Sequence, residues 1–143
     1  MSENTAAQQN KVSSPGTRLV RAEAIPFTPA SHELPSDPGC LKRVLVRKAD
    51  LLAGQVQMIN WSVIPPGKAF REHYHEDMQE IFVIVSGEAK AEAGDASLLL
   101  QAGDTWIVEP GTRHRMRALS ANGVTYLVVG ISSGKGGKTI VTS

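Results

Sequence analysis

Gly67-Lys-Ala-Phe-Arg-Glu-His73-Tyr-His75-Glu-Asp-Met-Gln-Glu80-Ile-Phe-Val-Ile-Val-Ser-Gly87 is the stretch that decides how this chain folds. His73 and His75 stand two apart, so on an extended strand both imidazoles project from one face. Glu80 opens the apolar run that ends at Ser86, so its carboxylate can reach the same interior. Further on, Gly103, Gly111 and His114 mark a second segment, which brings a third imidazole from a different strand. Imidazoles and a carboxylate in this spacing suit one borderline first-row divalent metal: Fe, Mn, Zn, Ni, Co or copper. An interior that held these groups without a cation would carry a desolvation cost of several kcal/mol. His73, His75, Glu80 and His114 are therefore the expected metal ligands.

Outward from that stretch the chain reads as strand after strand. Leu41–Lys48 alternates apolar and basic residues, and Gln55–Ile64 is a longer extended run closed by Pro65-Pro66-Gly67. Glu80–Ser86, Glu88–Ala93, Ala96–Gln101, Thr105–Val108, His114–Leu119, Val124–Ile131 and Thr139–Val141 follow, separated by Gly, Pro and Asp turns. Gly94-Asp95 between two such runs predicts a tight hairpin. Short strands at this regular spacing, with no amphipathic helix among them, predict an all-β sandwich or barrel.

The two quoted segments resemble the motifs of the cupin superfamily. Its first motif is Gly, five residues, His-x-His, three or four residues, Glu, six residues, Gly, and Gly67 to Gly87 matches every fixed position. Its second motif is Gly, five residues, Pro-x-Gly, two residues, His, three residues, Asn. Gly103 to Ala118 matches it except at Glu109, which replaces the proline, and Ala118, which replaces the asparagine. Neither departure falls on a ligand position. The resemblance implies a double-stranded β-helix, or jelly-roll barrel, extending over about residues 40–132. It also implies dioxygenases, isomerases, lyases, decarboxylases and cyclases as possible activities, beside cupins that only bind ligands. Cupins commonly form homodimers and often exchange an N-terminal strand, for which Leu19–Phe27 is the candidate.

Composition sets the outer bounds. At 143 residues the chain is expected to form one domain. Met1 to about Thr17 is rich in Ser, Asn, Gln and Ala and poor in large apolar residues, so a disordered tail is expected there. Residues 18–143 are expected to form the single barrel domain. Fifteen basic residues nearly balance fourteen acidic ones, which gives no electrostatic case for nucleic acid or an anionic membrane. Neither a membrane-length apolar run nor a secretory signal is visible, so a cytoplasmic protein is expected. Cys40 is the one cysteine and is read as a structural thiol. His32 falls in the Pro-punctuated segment Thr28–Cys40 and is read as a solvated loop residue.

Strand parity sorts the remaining candidates. Phe82 shares the inward face with Glu80, and Met116 shares it with His114. Met58 and Asn60 share one face of the preceding strand. These four are the expected pocket lining for a small-molecule ligand or substrate. Arg71, by parity with His73, either binds a substrate carboxylate or snorkels to solvent at the rim. Gln79 either orients a ligand or lies on the surface. Arg113, Arg115 and Arg117 line the face opposite His114, as a basic patch or a salt-bridged strand face. The strand around Glu80 and Val124–Ile131 are apolar on both faces, which points to cover by a second copy. The sequence thus predicts a metal-dependent cupin enzyme, dioxygenase-like in the first instance, with isomerase, lyase or cyclase chemistry and non-catalytic ligand binding as alternatives.

Overall fold

The computed structural model describes residues 11–14, 16–134 and 137–142. Its strands are β1 Lys11–Ser14, β2 Thr17–Val20, β3 Thr28–Pro29, β4 Leu41–Arg47, β5 Val56–Ile64, β6 His73–His75 and β7 Met78–Ser86. They continue as β8 Ala89–Ala93, β9 Ala96–Leu100, β10 Thr105–Val108, β11 His114–Ala118, β12 Val124–Ser132 and β13 Thr139–Val141. Two antiparallel sheets face each other, one ordered β10-β7-β12-β5-β4-β3 and the other β13-β6-β11-β8-β9. This is the jelly-roll arrangement, in which the two sheets enclose a core and share its polar contents. No helix among the described residues is long and apolar enough to cross a membrane.

Alternation drives the burial. In β7, Met78, Glu80, Phe82 and Ile84 are buried, while Gln79, Ile81 and Val83 are half-buried on the other face. β12 repeats the pattern with Val124, Tyr126 and Val128 inward. In β11, His114, Met116 and Ala118 are buried between the half-exposed Arg115 and Arg117. The two inner faces meet in a core that includes Ile64, Phe70, Phe82, Ile84, Met116 and Tyr126. Each large apolar side chain removed from water there contributes roughly 1.5–3 kcal/mol.

The arginine stripe resolves as a paired strand face. Arg115 donates to Glu92 on β8 at 3.0 Å, and Arg117 donates to the Gly67 carbonyl at 3.0 Å. Ala93 pairs with Ala96 across Gly94-Asp95, and Gly94 takes φ 58°, the positive value that a two-residue hairpin with glycine first requires.

At the N-terminus the local structure differs from the sequence reading. Thr17–Val20 pairs with Lys11–Ser14 as a hairpin, and Ala22–Ala24 is a 3-10 turn rather than part of a strand from Leu19 to Phe27. Pro26 has no amide hydrogen to donate, which disfavours extending a ladder to Phe27. The expected tail over 1–17 falls mainly on residues 1–10 and 15, which lie outside those described.

Candidate metal centre

Three strands bring the four predicted ligands together. β6 supplies His73 and His75, β7 supplies Glu80, and β11, paired with β6 through His114 and His73, supplies His114. One donor atom from each of the four lies within 4.8 Å of the others, and all four residues are buried. This cluster could hold a metal ion.

Hydrogen bonds on the far side of each ring decide which nitrogen faces the centre. His73 Nδ1 lies 2.6 Å from the Arg71 carbonyl, His114 Nδ1 lies 2.9 Å from the Thr112 carbonyl, and His75 Nδ1 lies 3.2 Å from the Gly137 carbonyl. A carbonyl oxygen only accepts, so Nδ1 of His73 and of His114 must carry the hydrogen, and the Gly137 carbonyl favours the same tautomer in His75, whose Nδ1 also lies 3.0 Å from the Thr139 hydroxyl. In the neutral rings Nε2 is then an unprotonated lone pair. His75 Nε2 and His114 Nε2 lie 2.9 and 3.1 Å from the same Glu80 oxygen. Despite that closeness, His75 Nε2 is not aligned for a hydrogen bond and is a buried nitrogen without one. Lone pairs crowded against a carboxylate repel. Only a positive charge relieves that repulsion: a proton on Nε2, as in the His114 Nε2–Glu80 Oε1 hydrogen bond at 3.1 Å, or a metal ion in the proton's place. The donor set therefore fits a first-row divalent metal, with backbone carbonyls orienting each ring as outer-shell partners do.

Electrostatics agree in direction. Burial alone would push the Glu80 carboxyl up, yet the His114 and His75 imidazoles outweigh it and hold the group well below the usual carboxylate range. Burial would pull His75 down, but the Glu80 carboxylate raises it above the ordinary imidazole value. His73, desolvated and near His32 and His114, is pushed down to about 3. Phe70 and Phe82 back the cluster, with ring centroids 5.7 and 5.9 Å from His114.

A cavity of about 200 Å³ opens beside the cluster. That is below the roughly 300–1,000 Å³ of drug-sized sites, so it admits small molecules only. Met58, Asn60 and Phe82 line it. Gly130 sits between Met58 and Glu80 in the sheet register, and the space its missing side chain leaves is filled by the thioethers of Met58 and Met78. Asn60 is 7% exposed, and its Oδ1 has no hydrogen-bond partner among the described residues. Ser62 and Tyr126 continue the same polar wall.

Other placements depart from the sequence reading. Met116 is fully buried in the core and does not line the cavity, because its parity with His114 aims it between the sheets, where it pairs in register with Ala91. Arg71 precedes β6, so strand parity does not reach it; it borders a separate shallow groove with Lys68 and Asp37. Gln79 faces outward and donates to the Glu109 carboxylate at 2.9 and 3.0 Å. The glutamate that replaces the motif proline thus holds the side chain that had been a candidate for orienting a ligand. Gln79→Ala is accordingly expected to leave metal content unchanged in elemental analysis and to shift stability by no more than about 0.5 kcal/mol.

His32 is the residue the sequence reading missed. Its ring stacks on His73 with centroids 4.2 Å apart and planes 18° apart, and it lines the cavity. No periodicity announces it, because it lies on a loop. The only local signal is the adjacent acidic Glu33, whose carboxylate takes its Nδ1 at 2.6 Å.

Residues 60–130 match the family described as cupin domain. The chain carries a cupin domain. Its barrel superposes on a predicted oxalate decarboxylase from Thermotoga maritima with a TM-score of 0.71, at 23% identity, covering 80% of this chain and 98% of that one. A polyketide cyclase from Streptomyces resistomycificus gives 0.70 at 16% identity, over 89% and 87% of the two chains. A cupin sugar phosphate isomerase from Silicibacter pomeroyi gives 0.63 at 18% identity, over 79% and 74%. At these identities the likeness is one of fold. No curated protein matches the chain.

Proposed function

We propose that this cupin is a metal-dependent enzyme acting on a small organic molecule. The observation that carries the reading is the set of carbonyl-bound Nδ1 atoms, which turns the Nε2 atoms of His73, His75 and His114 toward Glu80. Bound there, a first-row divalent metal supplies Lewis-acid polarisation of ligand oxygens and, as iron, a place for dioxygen beside a chelating substrate. The chain's own residues do the rest. Phe70, Phe82 and Val128 keep the cavity wall apolar, and Asn60 Oδ1 offers an acceptor to a hydroxyl or amine of the substrate.

Two reaction classes fit that site. The dioxygenase-like reading expects iron and oxygen uptake with a chelating substrate. A non-oxidative isomerase, lyase or cyclase reading expects manganese, zinc, nickel or cobalt and no oxygen dependence. Elemental analysis of protein purified without added metal or chelator, followed by oxygen-electrode screening with catechols, diketones and thiols, separates them. Stoichiometric iron with oxygen uptake supports the first class. Another metal with turnover under argon supports the second, and metal with ligand binding but no turnover supports a binding protein. A protein that neither holds nor takes up metal refutes the proposal.

A homodimer is part of the same reading. On the outer face of the six-stranded sheet, Ile59, Val129 and Ile81 form one cross-strand row, and Trp61, Leu127 and Val83 form the next. All six are half-buried, an apolar outer face that suits cover by a second copy. Sedimentation equilibrium is expected to give twice the 15.3 kDa chain mass.

A further inference from the structure

Glu33 is a buried carboxylate that the metal reading does not use. It is 8% exposed and sits in the loop between β3 and β4. Its Oε1 accepts from the Gly39 N–H at 2.8 Å, and its Oε2 accepts from the Arg71 N–H at 2.8 Å. The same Oε2 lies 2.6 Å from His32 Nδ1. One side chain thus ties the loop to Arg71, two residues before the metal-ligand strand, and fixes the plane of the His32 ring. Keeping a carboxylate out of water is costly unless it is fully hydrogen-bonded, and here it is spent on holding one imidazole.

That imidazole stands over the candidate metal centre. Its ring stacks on His73 and tilts against Phe70, with a centroid distance of 5.1 Å to the latter. A residue needed only to pack between two aromatic rings requires no polar atom, and none would need a buried carboxylate to orient it. With Nδ1 committed to Glu33, Nε2 is the ring nitrogen left for whatever occupies the cavity that His32 lines.

On the strength of the metal reading above, we infer that His32 Nε2 accepts a hydrogen bond from the metal-chelating hydroxyl of a small hydroxy acid in this cavity, and that Glu33 is its positioning residue. The pair would act as a second recognition element that the metal motifs do not contain. It approaches the ligand from the loop side, while Asn60 approaches from β5.

The test uses the full chain loaded with cobalt(II), whose visible spectrum responds when a ligand enters its coordination sphere. Glycolate and oxalate are the probes, titrated into wild type, His32→Phe, His32→Gln and Glu33→Gln, with cobalt content measured for each. His32→Phe keeps a ring on His73 and removes the nitrogen. Cobalt content is expected to stay at the wild-type level in all three variants. Glycolate affinity is expected to fall about fivefold or more in His32→Phe, the loss of the hydrogen bond from its hydroxyl, and less in His32→Gln, while oxalate, which has no hydroxyl to donate, is expected to change little. Glu33→Gln is expected to lose the His32 Nδ1–H proton resonance seen by NMR and to bind glycolate more weakly, which a purely structural role for Glu33 would not produce together. Glycolate binding by His32→Phe within twofold of wild type, at equal cobalt content, overturns this inference and leaves the metal reading standing. Wild type that holds cobalt but shows no response to glycolate also overturns it. Wild type that takes up no cobalt overturns the metal reading and this inference with it.

Discussion

Replacing His73 and His114 together by alanine is expected to yield a folded β protein that no longer takes up transition metal. Both rings are 1% exposed and present Nε2 to the cluster, so the change removes two donors from four. His75→Ala alone is expected to strip the metal as well. Neither change touches the backbone pairing that closes the barrel, and far-ultraviolet circular dichroism is expected to keep its β signature. Thermal melts with and without added metal supply the second readout. A ligand at about a thousand times its Kd stabilises the folded state by about 4 kcal/mol, so wild type is expected to gain in melting temperature and the variants to gain nothing. Unchanged metal content in these variants would place the metal elsewhere.

Acid acts on the same centre with a defined sign. A metal ligand must be unprotonated, so protons compete with metal. His75 is raised by Glu80, so in metal-free protein it takes a proton more readily than an ordinary imidazole as pH falls through the neutral range. His73, at about 3, stays neutral through that range. Metal uptake is therefore expected to weaken as pH falls through the neutral range, as equilibrium dialysis can show. In the metal-free protein the depressed His73 value contributes stability that is fully present above about 6.5. That contribution is lost as pH falls toward 3, because the unfolded chain takes up the proton that the folded one refuses.

Gly39→Ala is expected to be the most damaging single methyl addition near the site. A Cβ built there would lie 2.0 Å from the Ala69 carbonyl oxygen and 2.9 Å from its carbon. Both atoms are backbone, so no rotamer change relieves the contact. It would also press against Glu33 Oε1 at 3.0 Å, the atom that accepts the Gly39 N–H. The loop must move, and His32 must move with it. A loss of about 3 kcal/mol is expected, or roughly 10 °C in melting temperature for a chain of this size. A melting curve superimposable on that of wild type would show that the loop does not pass this close to Ala69.

Legibility in the sequence followed the strand period. His73, His75, Glu80 and His114 were readable because alternation fixes which side chains share a face, and the motif spacing fixes which strands meet. β5 and β10 were readable to within a residue, since a turn signal bounds each. Parity failed at its edges. Arg71 lies two residues before β6, outside the strand whose alternation was used to place it. Met116 does share the inner face with His114, but inner face and cavity wall are different places in a closed barrel. His32 and Glu33 were opaque because a loop has no period. Their meeting with His73 and Arg71 depends on long-range contacts that link residues about forty positions apart. The hairpin of β1 and β2 was hidden in a composition that reads as a tail.

Cys40 carries a last consequence. It is wholly buried beneath the loop, its Sγ lies 3.2 Å from the Tyr126 hydroxyl, and burial pushes the thiol up to about 12. Alkylating reagents attack the thiolate, so the native fold shields this atom twice, by access and by ionisation. Since the sequence has no other cysteine, a maleimide dye marks only those molecules that have come open. The protein thus contains its own clock for unfolding, readable in a mixture and without any engineered label.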